Sequence, residues 1–348
     1  MQLFTRSEPA KNAPPPLVGL GKIAAKSRTL GRKRKVEYFS LASKSILNRC
    51  DNPQQPFTWT INPYRGCEFG CKYCYARYTH EYMGMEQWQQ FEEKIYSKER
   101  AGEILQAELG KDPGGAIAIG TATDPYQPAE RHFQTTRRIL ETISGFRGLQ
   151  VSITTKSDLI RRDVDLLRRI AVSNHLRINM TVTTLRADLA RCLEVRAPCP
   201  ALRLSAAAEL ARADLQVAVF AMPVLPAITD DPQDLEAVAR AASLAGACYF
   251  AANVLFLMPS AQKAFFPFLE QKFPHLMKQY RRLYARGAYI RGDYSKQIQE
   301  LVQQLREKYR LNGPPRHYAA EAFAPVSQMQ LFARNQPVRQ LTTSGNCG

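Results

Sequence analysis

The sequence lacks any long apolar run. No uninterrupted apolar stretch of the 348-residue chain approaches the roughly 18–20 residues that a membrane-spanning helix needs. The first residues soon turn proline-rich and basic, which is not the pattern of a signal peptide. Eight cysteines are too few for a disulfide framework in a chain of this length. We therefore expect no membrane partner and a reducing, cytoplasmic setting.

Paired cysteines are scarce as well. A zinc ribbon brings its ligands as two separated C-x2-C pairs, and the chain has no second pair. Instead, three cysteines lie in one short run, NPYRGCEFGCKYCYAR at 62–77, as Cys67, Cys71 and Cys74. An iron–sulfur cube is closed by four cysteines, so three leave one iron free for another ligand. The glycines beside the first two cysteines let the backbone curl around a bulky core.

Strand-like and helix-like segments alternate through the middle of the chain, which is long enough for one α/β barrel with extensions. The six strand candidates are 57–61, 116–119, 149–154, 177–182, 215–220 and 247–257. Such alternation implies a parallel sheet with right-handed crossovers. We predict an α/β fold, a partial (β/α)6 TIM-type barrel. In such barrels chemistry gathers at the carboxyl ends of the strands, and the cysteine loop follows the first of them.

Two basic segments flank the predicted barrel, which covers residues 37–260. Residues 1–36 contain nine Lys/Arg and one Glu, and residues 261–348 contain fourteen Lys/Arg and five acids. Prolines, glycines and positive charge predict a disordered basic N-terminal arm over residues 1–36. The last segment predicts a helical C-terminal extension followed by a loop-like tail. Basic flanks make nucleic acid a candidate partner, although solubility explains such charge equally well.

The cysteine loop resembles the cluster loop of radical S-adenosylmethionine (SAM) enzymes, which is C-x3-C-x2-C followed by an aromatic residue, here Tyr75. Its flanks, Asn-Pro-Tyr-x-Gly-Cys and Cys-Tyr-Ala-Arg, are similar to those of the branch related to spore photoproduct lyase, often labelled DNA repair photolyase-like. The resemblance implies a [4Fe–4S] cluster on the three cysteines and SAM on the free iron. It also implies a cofactor contact at Tyr75 and a one-electron donor such as flavodoxin or ferredoxin.

The same resemblance indicates which side chains contact SAM. The segment GTATDPYQPAE at 120–130 takes the place of the Gly-Gly-Glu motif of other members. We therefore expect Thr123 and Asp124 to accept the SAM ammonium, the alternative being an ordinary turn capped by these side chains. Lys156 follows the third strand in a Thr-Lys context, and we expect it to bind the SAM carboxylate. The alternative is a solvated lysine beside a helix cap.

Four further residues complete the predicted cofactor site. Thr181 and Thr183 end the fourth strand and offer hydroxyls to the SAM amino group or ribose. Threonine is also common in strands for propensity alone. Glu194 and Arg196 belong to a segment, 193–198, that resembles the Glu-Pro-Arg-Ala-Pro segment of the branch. We expect them to hold ribose hydroxyls or to pair with one another.

One position departs from the branch. Spore photoproduct lyases carry a cysteine after the second strand that donates hydrogen to the product radical, whereas this chain has Thr121. A threonine O–H bond is too strong for that role. Repair of thymine dimers by that route is therefore not expected unless Cys199, Cys248 or a tyrosine takes over.

The sequence thus predicts a radical SAM enzyme that cleaves SAM reductively and starts radical chemistry, with a lyase as one candidate type. Its substrate stays open, with nucleic acid as a candidate. The alternative is a zinc-stabilised nucleic-acid-binding protein without SAM chemistry. Cys50 or His80 would then supply the fourth zinc ligand.

Overall fold

The computed structural model describes residues 17–290 and 292–313, together with the backbone of residues 324–325. The strands are β1 Thr29–Lys33, β2 Val36–Ser40, β3 Leu47–Arg49, β4 Trp59–Ile61, β5 Tyr64–Arg65, β6 Lys94–Ser97, β7 Ala116–Ile119, β8 Phe146–Arg147, β9 Gln150–Thr155, β10 His175–Thr181, β11 Gln216–Val224, β12 Tyr249–Val254 and β13 Ala324–Pro325. The helices are α1 Gly19–Ala25, α2 Tyr78–Glu81, α3 Gln90–Glu93, α4 Ala101–Leu109, α5 Glu130–Phe133, α6 Thr135–Ile143, α7 Val164–Ser173, α8 Ala187–Leu193, α9 Pro200–Arg212, α10 Pro232–Leu244, α11 Pro259–Lys272, α12 Met277–Leu283 and α13 Asp293–Tyr309. Short 3-10 helices cover Tyr75–Arg77, Asp158–Asp163 and Pro274–Leu276.

The main sheet confirms the predicted partial barrel. Its strand order is β12-β11-β10-β9-β7-β4-β3. The strands from β4 to β12 in this sheet pair in parallel, and β3 pairs antiparallel with β4 at one edge. Because β3 and β12 are the two edges, the sheet is open between them. The bounds of β7 match the prediction, whereas the first strand is shorter than predicted and begins at Trp59.

Alternation along the strands separates an apolar face from a polar face. Ile153 on β9 and Ile178 on β10 are fully buried in the core between the sheet and the surrounding helices. Successive side chains of a strand point to opposite faces, so the residues next to Ile153 and Ile178 along their strands face the inside of the barrel. There, Asn179 Nδ2 donates to Thr154 Oγ1 at 3.1 Å. The inside of the barrel therefore carries polar groups beneath the cysteine loop.

A second sheet, with strand order β1-β2-β6-β5, supports the cysteine loop. Its last strand, β5, leads directly into that loop. The structure differs here from the predicted disordered arm, because residues 17–36 contain α1 and β1. Ala24 of α1 packs with Met83 and Tyr96 in a small apolar cluster that the basic composition conceals. Residues 1–16 of the predicted arm lie outside the described residues.

The predicted helical extension contains α11, α12 and α13. Ile298, Val302 and Leu305 of α13 join the apolar core, and α13 packs against the edge strand β12. Among the described residues, no helix is both long and apolar enough to cross a membrane. The division of the chain into an arm, a barrel and an extension stays a prediction, and the tail after residue 325 lies outside the described residues.

Candidate active site

The cysteine loop begins where β5 ends, at the carboxyl end of the first barrel strand. Gly66 has a φ of +83°, and a Cβ added there would lie 2.7 Å from the Lys94 carbonyl oxygen. Gly70 has a φ of +66°, and its added Cβ would lie 2.9 Å from Glu92 Oε2. Glycine adopts this left-handed backbone without steric strain. The two glycines therefore let the loop turn tightly against β6 and its neighbours.

The three cysteines of the loop are free thiols that influence one another. Cys67 and Cys71 are buried, and Cys74 is half-buried. Burial raises the pKa of Cys67 well above its usual value, and Asp124 and Cys71 raise it further. Burial also raises the pKa of Cys71 to about 12, although Lys156 opposes this shift. Three thiolates therefore need a positively charged group between them, which fits an iron–sulfur cluster because bound metal deprotonates its thiols.

A segment that follows α8 pairs with the cysteine loop through the backbone. The Lys72 N–H donates to the Leu193 carbonyl at 2.9 Å, and the Arg196 N–H donates to the Phe69 carbonyl at 2.9 Å. Between these two bonds, Cys71 and Glu194 face each other in an isolated antiparallel bridge. The loop thus gains a second strand-like partner besides β6.

Glu194 is the centre of a buried polar network beside the loop. Its Oε2 lies 2.5 Å from Arg203 Nη2. Its Oε1 accepts from Thr183 Oγ1 at 2.8 Å and from the Tyr73 hydroxyl. Burial alone would raise the pKa of Glu194, but Arg203 and Lys156 outweigh it, so the pKa lies below its usual value. Glu194 is therefore ionised and fully engaged by these neighbours.

Arg196 braces the outer side of the loop. Its Nη2 donates to Glu92 Oε2 at 2.9 Å, and its Nε donates to the Glu68 carbonyl. Glu92 Oε1 accepts from Arg77 Nη2 at 2.5 Å, and the same nitrogen donates to the Cys71 carbonyl at 2.9 Å. A continuous chain of charged groups therefore ties this side of the loop to α3.

The expected pair between Glu194 and Arg196 is wrong. Glu194 pairs with Arg203 of α9, whereas Arg196 pairs with Glu92 of α3. The backbone turns between them, as the Ala197 N–H donates to the Glu194 carbonyl at 3.0 Å. The two side chains therefore reach different partners on different elements.

The loop after β7 supports the cysteine loop from a third direction. Thr123 Oγ1 donates to the Gly66 carbonyl at 2.6 Å. Gln127 Nε2 donates to the same carbonyl at 3.0 Å and to Thr123 Oγ1 at 2.9 Å. Gln127 Oε1 accepts from the Glu68 N–H at 3.0 Å. The hydroxyl of Thr123 thus already donates one hydrogen bond and accepts another.

Asp124 joins the loops that follow the second and third barrel strands. Its carboxylate accepts from Thr155 Oγ1 at 2.7 Å, from the Lys156 N–H at 2.7 Å and from the Tyr126 N–H at 2.9 Å. Burial raises the pKa of Asp124, although these hydrogen bonds oppose the shift. The bond to the Tyr126 N–H is the turn cap of the alternative interpretation. The bonds from the next loop bring Asp124 and Lys156 together.

The ammonium group of Lys156 and the hydroxyl group of Thr181 remain available to a ligand. Lys156 Nζ lies 5.8 Å from the ring centroid of Tyr73, and it makes no hydrogen bond or ion pair to another described residue. Burial lowers the pKa of Lys156, but Cys71 and Glu194 outweigh it and the pKa is raised. The Thr181 hydroxyl, at the end of β10, also has no hydrogen-bond partner in the described part of the chain. Both groups are free to bind a ligand.

Tyr75 belongs to a row of aromatic rings at the barrel mouth. Its ring centroid lies 6.5 Å from that of Tyr78 and 6.0 Å from that of Phe256. Tyr82 extends the row from Tyr78 at 5.6 Å, and Tyr289 extends it from Phe256 at 4.3 Å. We call these five residues the aromatic row. It connects the loop after the first barrel strand with the loop after the last one, and both of its ends are exposed.

Thr121, which stands where the resemblance to spore photoproduct lyases predicted a cysteine, lies at the same mouth. Its carbonyl accepts from the Tyr75 hydroxyl, and its Oγ1 accepts from Asn62 Nδ2 at 3.1 Å. Asn62 Oδ1 in turn accepts from the Ala122 N–H at 2.7 Å. Cys248, one candidate for a replacement thiol, precedes β12 and so lies at the opposite end of the barrel.

Several residues that hold the site escaped the sequence analysis. They are Asn62, Arg77, Glu92, Gln127 and Arg203. Asn62, Arg77 and Gln127 lie inside the segments that carried the resemblance, so their position could have indicated a role in the site. Glu92 and Arg203 lie on separate helices, and nothing in the local sequence connects them with the loop.

His80, one of the two candidates for the fourth zinc ligand, is engaged by other groups. His80 Nε2 lies 2.9 Å from the Lys94 carbonyl oxygen, and the ring packs against Phe91 and Tyr96. Within the described residues, no group of three or more His, Cys, Asp or Glu side chains is arranged around a single metal ion. An iron–sulfur cube does not need such convergence, because each cysteine binds a different iron.

Comparison with known proteins identifies the family. The family model described as "Radical SAM superfamily" matches residues 61–240. The chain belongs to the radical SAM superfamily. It is therefore a radical SAM enzyme, and members of the superfamily use a [4Fe–4S] cluster and SAM and need an electron donor.

Proteins similar to this chain occur in bacteria and archaea. An uncharacterized protein of Mycobacterium tuberculosis is 32% identical over 298 residues, which are 85% of this chain and 87% of the relative. An uncharacterized protein of Methanocaldococcus jannaschii is 27% identical over 240 residues, which are 69% of this chain and 85% of the relative.

Solved structures of spore photoproduct lyase share the fold. A cysteine-to-alanine mutant of that enzyme aligns with a TM-score of 0.61 at 14% identity over 86% of each chain. A cysteine-to-alanine mutant with dinucleoside spore photoproduct aligns with a TM-score of 0.60 at 13% identity, covering 78% of this chain and 79% of that chain. At this level of identity the likeness establishes the radical SAM fold alone.

Proposed function

We propose that Cys67, Cys71 and Cys74 hold a [4Fe–4S] cluster and that SAM binds the iron they leave free. The observation that carries the proposal is three free thiols at the carboxyl ends of parallel barrel strands, on a loop braced from several sides. When bound, the cluster and SAM supply reductive cleavage to methionine and a 5′-deoxyadenosyl radical that abstracts a substrate hydrogen. The protein itself binds, orients and excludes water.

Three of the predicted side chains remain as proposed SAM contacts with a stated role. Lys156 binds the SAM carboxylate, because its ammonium is free and charge-assisted bonds of this kind are strong. Asp124, on the neighbouring loop, accepts from the SAM ammonium. Thr181 donates to the ribose, and Tyr75 borders the same space. The other predicted contacts position the cysteine loop through the bonds described above; they are Thr123, Thr183, Glu194 and Arg196.

Anaerobic reconstitution tests the proposal. The reconstituted chain should be brown, absorb broadly near about 400 nm and cleave SAM when dithionite is added. Cys71→Ala should lose both the colour and the cleavage. Cys248→Ala is the matched control and should keep both, because that thiol lies at the opposite end of the barrel. A colourless protein with one tightly held zinc and no SAM cleavage would overturn the proposal.

We further propose a one-electron donor of the flavodoxin or ferredoxin type in place of dithionite, and nucleic acid as the substrate class. Two surfaces beside the loop support the second point. Residues 32–35, Arg-Lys-Arg-Lys, form the exposed tip of the β1–β2 hairpin. The hairpin adjoins the loop, because the Tyr38 hydroxyl of β2 donates to Glu68 Oε2 at 3.1 Å. Burial raises the pKa of Glu68, and nearby Lys33 opposes that shift.

The aromatic row is the second supporting surface. Exposed rings offer stacking platforms to unpaired bases, worth roughly 1–3 kcal/mol per base. Tyr82 is 69% exposed and Tyr289 is 59% exposed. Repair through a second-strand thiol is not part of the proposal, because Thr121 occupies that place and Asn62 holds its hydroxyl.

Salt dependence tests the hairpin. Replacing residues 32–35 by serine should weaken binding of single-stranded DNA or RNA and reduce the slope of log K against log salt by up to about 3. The matched control removes four exposed arginines from the outer helices α7, α9 and α10, namely Arg168, Arg169, Arg212 and Arg240. Equal slopes in both variants would show that only net charge matters and would contradict a hairpin contact.

A further inference from the structure

Arg65 and Lys98 lie on one face of the ladder between β5 and β6. Arg65 stands opposite Tyr96 in this antiparallel pair, and the Lys98 N–H donates to the Pro63 carbonyl at 3.2 Å. Alternate residues of paired strands share a face. Arg65 and Lys98 are therefore diagonal neighbours across the ladder, at the base of the cysteine loop.

Neither cation has a carboxylate partner among the described residues. Lys98 is only 4% exposed, and Arg65 Nε is buried without a hydrogen-bond partner. Glu108 is the carboxylate that acts on Lys98. Its two oxygens accept the backbone N–H groups of Ile46 and Leu47 at 3.0–3.2 Å. Glu108 is thus already engaged by the backbone and forms no ion pair with Lys98. Burying a charge without a close partner is strongly unfavourable, so a bound anion would stabilise the pair.

Apart from Glu108, the neighbouring groups among the described residues are cationic or neutral. Burial and the nearby Arg65 lower the pKa of Lys98 to about 8. Burial lowers the pKa of His80 to about 4, so this ring is neutral, and Lys94 shares the same strand face. Arg65 thus makes the charged form of Lys98 less favourable, which a bound anion would reverse.

We propose that Arg65 and Lys98 form a binding site for a phosphate group beside the cysteine loop. Inorganic phosphate and phosphate monoesters carry about −1.5 to −2 charge at pH 7, which matches two cations. A backbone phosphodiester carries one negative charge but has further phosphates beside it along the strand, whereas a carboxylate offers neither. Guanidinium and ammonium groups are the usual protein ligands of phosphate oxygens. The site requires neither the cluster nor SAM, so its test does not depend on the proposed cluster and SAM chemistry.

The position of the site relates it to the aromatic row. Tyr78 of that row is close enough for Arg65 to oppose the rise that burial causes in its pKa. A phosphate held by Arg65 and Lys98 can therefore belong to a ligand that also reaches the row. Two sources of the phosphate are open, a small phosphate-bearing molecule and the backbone of a nucleic-acid strand.

Calorimetry with inorganic phosphate tests the site in the full, anaerobically purified chain in a phosphate-free buffer. The wild type should bind phosphate saturably. Lys98→Met should weaken binding by about tenfold or more, because bonds to charged groups are worth that much. Lys98→Arg keeps the charge and should stay within about threefold of the wild type. Lys272→Met, an exposed lysine at the end of α11, should change nothing.

Three results would overturn the site: no saturable binding by the wild type, equal binding by Lys98→Met with its fold intact by circular dichroism, or acetate binding as tightly as phosphate. A single-stranded oligonucleotide, titrated in parallel, distinguishes the sources. If it too loses about tenfold in Lys98→Met, the phosphate belongs to a strand. If inorganic phosphate alone depends on Lys98, the ligand is a small phosphate-bearing molecule.

Discussion

Replacing Arg203 by methionine should destabilise the protein strongly and loosen the cysteine loop. The side chains of Arg203 and Glu194 are 1% and 0% exposed. Removing one partner of a buried ion pair leaves the other charge uncompensated, which costs about 3–5 kcal/mol. Methionine fills much of the same space, so the loss reflects charge rather than a cavity. Domains are typically stable by about 5–15 kcal/mol, so this is a large share of the free energy of unfolding.

A second substitution separates the charge effect from lost packing. Adding Glu194→Gln removes the uncompensated charge while keeping a side chain that can accept from Tyr73 and Thr183. The double variant should therefore recover at least about 1 kcal/mol relative to Arg203→Met, a non-additive result expected for residues in contact. Arg161→Met is the control, because Arg161 pairs with Glu209 at 3.2 Å with side chains 29% and 46% exposed. Such a pair contributes about 0–1 kcal/mol.

Denaturant unfolding followed by circular dichroism gives the stability changes. Iron content after reconstitution reports on the loop, since Glu194 lies in the segment that pairs with it. A change of less than about 1 kcal/mol in Arg203→Met would refute the reasoning. A double variant less stable than Arg203→Met would refute it as well.

Two further changes test the glycine turn and the buried lysine. Gly66→Ala places a Cβ 2.7 Å from the Lys94 carbonyl oxygen, so the reconstituted protein should hold less iron. Gly114 also has a positive φ, +60°, but an added Cβ would have nothing within 4 Å, so an equal iron loss in Gly114→Ala would contradict the steric explanation. Burial and Arg65 lower the pKa of Lys98 from 10.5 to about 8. Between pH 8 and pH 10.5, Lys98 therefore keeps its proton in the unfolded chain and loses it in the folded chain. In phosphate-free buffer, wild-type stability should therefore rise from pH 8 to 10.5, and Lys98→Met should lack this rise and be more stable at pH 7 by up to about 3 kcal/mol. Identical pH profiles in unfolding experiments would count against a buried charge at Lys98.

Predictions succeeded where the signal is local in the chain. The strand Ala116–Ile119 is a run of alternating alanine and isoleucine between glycines, and its bounds were predicted correctly. The three cysteines lie within eight residues of each other, so their spacing alone indicated a shared metal centre. The family comparison then confirmed the superfamily that the flanking residues had indicated.

Predictions were less successful where a residue's partner comes from a distant element. Glu194 and Arg196 were predicted as ribose contacts or as a mutual pair, and their partners in the protein, Arg203 and Glu92, could not be inferred from spacing. The hairpin at 29–40 was missed because its positive charge dominated the prediction. Tyr38 packs with Tyr64, Ile95 and Phe133. This burial depends on the pairing of the strands, so the local sequence does not indicate it.

By itself, the sequence determined the fold class and singled out the cysteine loop, because hydrophobic periodicity and closely spaced cysteines can be read along the chain. Only the tertiary structure decided which polar groups hold the loop and which remain free for ligands. Thr123, Glu194 and Arg196 are engaged by the protein, whereas Lys156 is not. The physical reason is that a buried polar group takes its role from whatever neighbour satisfies it, and that neighbour is set by packing across the barrel mouth. The same holds for Arg65 and Lys98, because only the pairing of β5 with β6 brings these two cations together without an ion-pair partner among the described residues.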